Sequence, residues 1–182
     1  GGIRMGLENA SKKIGVDTKC VFSSEIDKYA IQTYITNFGK TNFFGDITNL
    51  GDDHNIEKII PSFDILLAGF PCQPFSQAGL RKGFKDTRGT LFFWIDKILK
   101  IKKPKAFLLE NVKHLKGHDQ GNTLKTILSV LRENYYVPEP KVLNAKHFGL
   151  PQNRERIFIV GFNKDYGDFE FPQPINKKTR VG

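Results

Sequence analysis

Residues 63–76 read FDILLAGFPCQPFS, and the fold is decided by how this stretch changes character halfway along. Apart from Asp64, residues 63–70 are a continuous apolar run, the pattern of a strand buried on both faces in a parallel sheet. The run stops at Pro71. From there to Gly89 the chain carries glycines, Pro71, Pro74 and several charges with no sustained period, which predicts a long loop at the ligand-binding end of the strand. Cys72 stands between the two prolines. Because prolines fix φ and remove donors, its thiol is held with little freedom. A lone cysteine is usually a small buried hydrophobe, but this setting favours a nucleophile. Cys20, in an apolar stretch, is expected to be ordinary core packing.

Outward from this strand, short apolar runs alternate with amphipathic segments, the sign of an α/β domain built on a doubly wound, mostly parallel sheet. Towards the N-terminus the patterns predict a helix over 3–14, a strand over 18–26 and a helix over 28–38. A short strand ending at Gly45-Asp46-Ile47 follows, then a weaker helix over 56–60 ended by Pro61. Towards the C-terminus, Leu91, Ile95, Ile98 and Leu99 mark one helix face, and 106–109 (AFLL) reads as a central strand. Leu124, Ile127, Leu128 and Leu131 mark another helix; Val142-Leu143 and 156–162 (RIFIVGF) read as strands. The tail from Asp165 is polar, with Pro172 and Pro174. The expected organisation is a catalytic domain over 1–164 and a linker over 165–182 leading towards a further domain.

The 182 residues suit one domain with a sizeable core, and 39% hydrophobic against 26% charged residues is ordinary for a soluble globular chain. No apolar run approaches a membrane span. A net charge of +9 favours a polyanionic partner, nucleic acid first among them. Two cysteines, far apart, give neither a disulfide framework nor metal-ligand spacing, and point to a reducing, cytoplasmic setting.

Several polar residues fall at expected strand ends. Gly1-Gly2 precede a helix, where small residues let backbone amides approach a ligand; a simple helix-capping turn explains them equally well. Glu25 is placed to bond ribose hydroxyls of a nucleoside cofactor, or to act as a helix N-terminal carboxylate. Asp46 suits an adenine amino group, or caps the following turn. Glu110, in LLENV at 108–112, is expected just past an apolar strand, where partial desolvation favours an acid active near neutrality; its alternative is an ion pair with a basic neighbour. Arg154 and Arg156 are two apart at the start of a strand, hence on one face, and suit carbonyl or phosphate recognition unless they are an exposed edge pair.

The ordered set GG-R-GLE, SSEID, GDI, GFPCQPFS, DTRGTLFF, LLENV and QNRERIFIVGF resembles the catalytic region of cytosine-C5 DNA methyltransferases, and most closely the bacterial restriction–modification type. The likeness runs over nearly the whole chain. It implies an S-adenosylmethionine-dependent fold, with Glu25 on the cofactor ribose, Asp46 on its adenine and Gly1 and Gly2 beside the methionine portion. Ile26, Ile47, Pro71 and Leu91 would complete that pocket. Cys72 would be the nucleophile, Glu110 would meet the target cytosine at N3 and its amino group, and Arg156 its O2. Arg154 and Gln152 would support that edge. Ser76 and Arg88 would approach DNA phosphates or order the loop, and Arg81, Lys82 and Lys85 suit a phosphate clamp. The partners implied are double-stranded DNA and a cognate restriction endonuclease, for a protein acting as a monomer.

Departures from the family pattern carry expectations too. The usual apolar strand and Phe-x-Gly turn are not seen before Gly1, and nothing after Lys177 resembles a target-recognition domain. Ile26 stands where many relatives have an aromatic residue. A tRNA-modifying branch shares the PCQ and ENV elements but usually has Thr in place of Ser76, which favours DNA.

Overall fold

In the computed structural model, residues 1–71, 91–164 and 169–175 are described. Helix α1 spans Gly2–Lys13 and is followed by strand β1, Ser23–Ser24. Helix α2 spans Lys28–Phe38, strand β2 Phe43–Phe44, helix α3 Asp53–Ile59 and strand β3 Ile65–Gly69. Helix α4, Leu91–Lys102, leads into β4, Ala106–Val112; helix α5, Asn122–Arg132, precedes β5, Lys141–Asn144, and β6, Glu155–Phe162. The α/β class expected from alternation is the one observed.

Local chemistry accounts for the better-placed boundaries. The Asp27 carboxylate accepts from the amides of Tyr29 (3.0 Å) and Ala30 (2.8 Å), closing the N-terminus of α2, and Gly39 ends that helix at a φ of 77°. The 18–26 stretch shortens to a two-residue strand, and Cys20 lies outside it. Cys20 is only half-buried, with its Sγ 3.4 Å from the Phe22 carbonyl and 3.7 Å from the Tyr34 hydroxyl, so it is not the core residue expected.

The strands form a parallel pair β1–β2 and a four-stranded sheet of order β3-β4-β6-β5. β3 and β4 are parallel and joined through α4; β6 runs antiparallel to both β4 and β5. The sheet is therefore mixed, because β5 turns directly into β6 through a short connection rather than a crossover helix. Full burial of the 63–70 run is not observed: Ile65 is 43% exposed, Leu66, Leu67 and Ala68 are partly buried and Gly69 is exposed. The reason is its place in the sheet, with β4 on one side and, among the described residues, no strand on the other.

Alternation in β4 separates two functions. Phe107, Leu109 and Asn111 are buried, and the first two share a core with Ile157 and Ile159 of β6, under α4 and α5. Leu108 and Glu110 face the other side. A second cluster gathers Leu50, Ile56, Ile60, Trp94 and Ile98. Residues 169–175 fold back on the domain: the Phe169 ring lies 5.4 Å from that of Phe162, and the Ile175 amide donates to the His147 carbonyl at 2.9 Å.

Candidate active site

Glu110 lies within β4, not after it as expected. The strand continues to Val112 because β6 keeps pairing with it there, Val112 opposite Arg156. On one side Glu110 is in register with Gly69 of β3 and on the other with Phe158 of β6. Its side chain therefore shares a face with Phe158 and, one pleat on, with Arg156. The consequence is a short ion pair, Arg156 Nε to Glu110 Oε1 at 2.9 Å. Arg154, one residue before β6, brings its Nη2 to 3.7 Å from the same oxygen. The arginines thus converge on one carboxylate, and the ion-pair alternative for Glu110 is realised.

Two features fix this arrangement. Arg156 Nη1 also donates to the Glu155 carbonyl at 2.8 Å, which orients the guanidinium fork. The strand-entry segment is tied down by the Ala145 amide on the Arg154 carbonyl (3.0 Å) and by Asn144 Nδ2 on Asn153 Oδ1 (2.7 Å). Glu110 and Arg156 retain 19% and 23% side-chain exposure, so the pair is shielded yet reachable from solvent. Gln152, in the same segment, is exposed.

β3 brings Gly69, Phe70 and Pro71 to the same place. A Cβ on Gly69 would stand 3.4 Å from Glu110 Oε2, so glycine there leaves room for the carboxylate. The Phe70 amide reaches the Glu110 carbonyl at 3.4 Å, and exposed Pro71 follows. Cys72 is the next residue in the chain; it lies outside the described residues, as do Ser76, Arg81, Lys82, Lys85 and Arg88.

A second group of polar residues sits at the ends of β1 and β2, where Ser24 is in register with Phe44. Glu25 Oε1 accepts from the amides of Ile26 (2.8 Å) and Asp27 (3.1 Å). Asp46 Oδ1 accepts from the Thr48 amide (2.9 Å) and hydroxyl (2.8 Å), capping the 3-10 turn Ile47–Leu50. The capping alternative is thus observed for Asp46, whereas α2 is capped by Asp27 and not by Glu25; each acid still has a second carboxylate oxygen with which to accept a ligand hydroxyl or amino group. Ile26, 62% exposed, adds an apolar surface beside them. Ile47 and Leu91 both pack on the second core cluster, linking this end of β2 to the start of α4.

Gly1 and Gly2 do not join this group. Gly1 is the N-cap of α1, and a Cβ on it would lie 2.8 Å from the Phe38 ring. Arg4 holds α1 there by bonding the Tyr34 hydroxyl at 2.6 Å and stacking 4.1 Å from the centre of the Phe38 ring. Glu25 precedes the opposite end of α2, whose 11 residues span roughly 16 Å. Of the residues expected at successive strand ends, Glu25 and Asp46 follow the neighbouring strands β1 and β2, while Gly1 caps α1 against α2.

Gly69 and Asn144 escaped the sequence reading. Gly69 was visible only as part of an apolar run, and its role depends on the β3–β4 register. Asn144, with Asn153 beside the arginines, gave a polar residue at a strand end as its only signal.

A sheet whose strand ends carry an acid–arginine cluster, with an acid after each strand of a further parallel pair, fits an α/β domain of the Rossmann-like methyltransferase class. Solved structures agree. Dnmt2 methyltransferase of S. pombe superposes over 90% of this chain and 48% of its own with a TM-score of 0.65, at 19% identity, a likeness of fold. DNMT2 of Spodoptera frugiperda matches over 91% of this chain and 49% of its own, with a TM-score of 0.65 and 26% identity. In sequence the profile of the C-5 cytosine-specific DNA methylases matches residues 1–182, and the chain belongs to that family. Type II methyltransferase M.NlaX of Neisseria lactamica is 59% identical over 184 residues, covering all of this chain and 55% of that protein. Type II methyltransferase M.HpaII of Haemophilus parainfluenzae is 55% identical over 182 residues, 97% of this chain and 48% of the relative. The chain spans about half the length of the curated relatives it matches.

Proposed function

We propose that the protein is a DNA (cytosine-5-)-methyltransferase of a restriction–modification system, acting on a cytosine flipped out of duplex DNA. The observation that carries this reading is the convergence of Arg156 and Arg154 on Glu110, beside the strand that leads into Pro71-Cys72. The 59% and 55% identities to Type II methyltransferases favour DNA as the substrate. The organisation proposed is a catalytic domain over residues 1–164, with 165–182 leading towards a recognition domain.

Cytosine C5 is too weakly nucleophilic to be methylated directly. The Cys72 thiolate adds at C6, the new C–S bond drawing the ring electrons towards C5 and N3. Glu110 donates a proton or hydrogen bond at N3 and accepts from the amino group, and Arg156 holds O2 where negative charge develops. S-adenosylmethionine, when bound, supplies the electrophilic methyl group. Loss of the C5 proton and expulsion of the thiolate then restore the aromatic ring. Arg154 and Gln152 steady the base-binding edge from outside the strand.

The chemistry of the acids at the ends of β1 and β2 fits the nucleoside part of that cofactor: Glu25 for ribose hydroxyls, Asp46 for the adenine amino group, and Ile26 as an apolar platform. Ile47, Leu91 and Pro71 would line the pocket between that group and Glu110. Arg81, Lys82 and Arg88, with Ser76, are assigned to DNA phosphates. Stacked bases hide C5 and C6, so flipping precedes the chemistry. Monomeric action in the cytoplasm, alongside a cognate endonuclease, belongs to the same reading; among the described residues no helix is long and apolar enough to cross a membrane.

Duplex DNA carrying 5-fluorocytosine in the target sequence tests the mechanism. Fluorine cannot leave as the C5 proton does, so the full-length protein should accumulate a covalent complex that survives denaturing electrophoresis. Trapping that persists in Cys72→Ser would refute the role of Cys72.

A further inference from the structure

The register of the sheet carries more than the acid–arginine pair. Val112 lies opposite Arg156, Arg156 opposite Leu143, and Glu155 opposite Asn144. Hence the C-terminal ends of β4 and β5 and the N-terminal end of β6 reach one edge of the sheet, the edge that holds Glu110. Two 3-10 turns leave from it, Lys113–Lys116 after β4 and Ala145–Phe148 after β5. Both are basic and open to solvent, with Lys113, Lys116 and Lys146 exposed.

The acids nearby offset only part of this charge. Glu155 is engaged with Lys113 at 3.0 Å and Glu110 with the arginines; Asp119, exposed, lies beyond the first turn. Lys116 and Lys146 make no ion pair among the described residues. Exposed cations at one edge, left without counter-charges, are stabilised by an external anion.

We propose that the turns bearing Lys116 and Lys146 form a phosphate-binding strip that grips duplex DNA on the β5–β6 side of the flipped base. The inference rests on the DNA methyltransferase reading and adds to it a contact surface outside the Pro71–Gly89 segment. Crossing from β4 through β6 to β5 covers roughly 10 Å at the usual strand spacing. That length matches about three phosphates of one DNA strand, at 3.4 Å of helix axis each. β3 lies across Glu110 from this strip.

Binding of a duplex containing the target sequence, measured against salt concentration, tests the strip in the full-length protein. Each neutralised phosphate contributes about 0.9 to the slope of log K against log salt. Lys116→Gln and Lys146→Gln should each flatten the slope by about that amount and weaken binding about eightfold at 0.1 M salt. Methyl transfer at saturating DNA should keep its maximal rate. Lys105→Gln, at the opposite end of β4, should leave the slope unchanged. If wild type binds and methylates the duplex and neither strip variant changes the slope, the strip is refuted and the methyltransferase reading stands. If wild type neither binds nor methylates any duplex, both fall together.

Discussion

Gly161 is the most exacting position in the ladder that brings Arg156 to Glu110. It sits in β6 directly opposite Phe107 of β4. A Cβ at Gly161 would fall 2.2 Å and 2.3 Å from two atoms of the Phe107 ring, more than an ångström inside contact distance. The ring has little room to retreat. Phe107 is 2% exposed, and its ring meets that of Tyr135 edge-on at 5.1 Å. Tyr135 is itself anchored, its hydroxyl donating to the Pro104 carbonyl at 3.2 Å. The strand cannot shift either, since β6 pairs with neighbours on both edges. Gly161→Ala should therefore cost about 3 kcal/mol, the upper end for overpacking a core. In a chain of this size that lowers the melting temperature by roughly 6–12 °C. Urea and thermal unfolding followed by circular dichroism would measure it. Phe107→Leu, which shortens the offending ring, should recover about 1 kcal/mol or more in the Gly161→Ala background, a coupling visible in a double-mutant cycle. A Gly161→Ala loss below about 0.5 kcal/mol, or costs that simply add, would refute the contact as the reason for glycine.

Further outcomes follow from the same geometry. Tyr135, buried, has its phenol pushed up to about 12. The neutral form is thus favoured in the fold, and its contribution is complete below the unfolded value near 10. It is lost as pH rises through about 12, so unfolding between those limits should be shallower in pH for Tyr135→Phe. Glu110→Gln should slow methyl transfer far more than it weakens cofactor binding; equal losses, by single-turnover kinetics and titration, would remove Glu110 from the base site. Arg156→Lys keeps the charge but loses the oriented fork, and should reduce kcat/KM by tenfold or more, about 1.4 kcal/mol, against a smaller loss for the half-exposed Arg154→Lys. Asn144→Ala removes the bond to Asn153 and the cap on the Lys146 amide, and should cost about 1 kcal/mol in urea unfolding, since the exposed Asn153 can turn to water.

The sequence by itself determined the elements whose cause is local. Helix α2 keeps the bounds read from its pattern because Asp27 and Gly39 close it, and α4 and α5 bury the faces that their spacing marked. Cys72, Glu110 and Arg156 could be singled out because prolines, apolar runs and paired arginines are properties of short segments. The resemblance to cytosine-C5 DNA methyltransferases was legible for the same reason. Its motifs are local strings in a fixed order.

What depends on register was not legible. That Glu110 lies inside β4, that Arg156 meets it at 2.9 Å, and that Gly69 leaves space for its second oxygen all follow from three strands aligning to the residue. A slip of one residue would turn Glu110 into the core and Leu109 out of it. The direction of β6 was hidden too, since an apolar strand reads alike whichever way it runs. Only the tertiary structure decided that Gly1, the N-cap of α1, lies against Phe38 rather than beside Glu25, because Arg4 reaches a tyrosine 30 positions away in the chain. Sequence named the chemical groups; strand pairing set which of them meet.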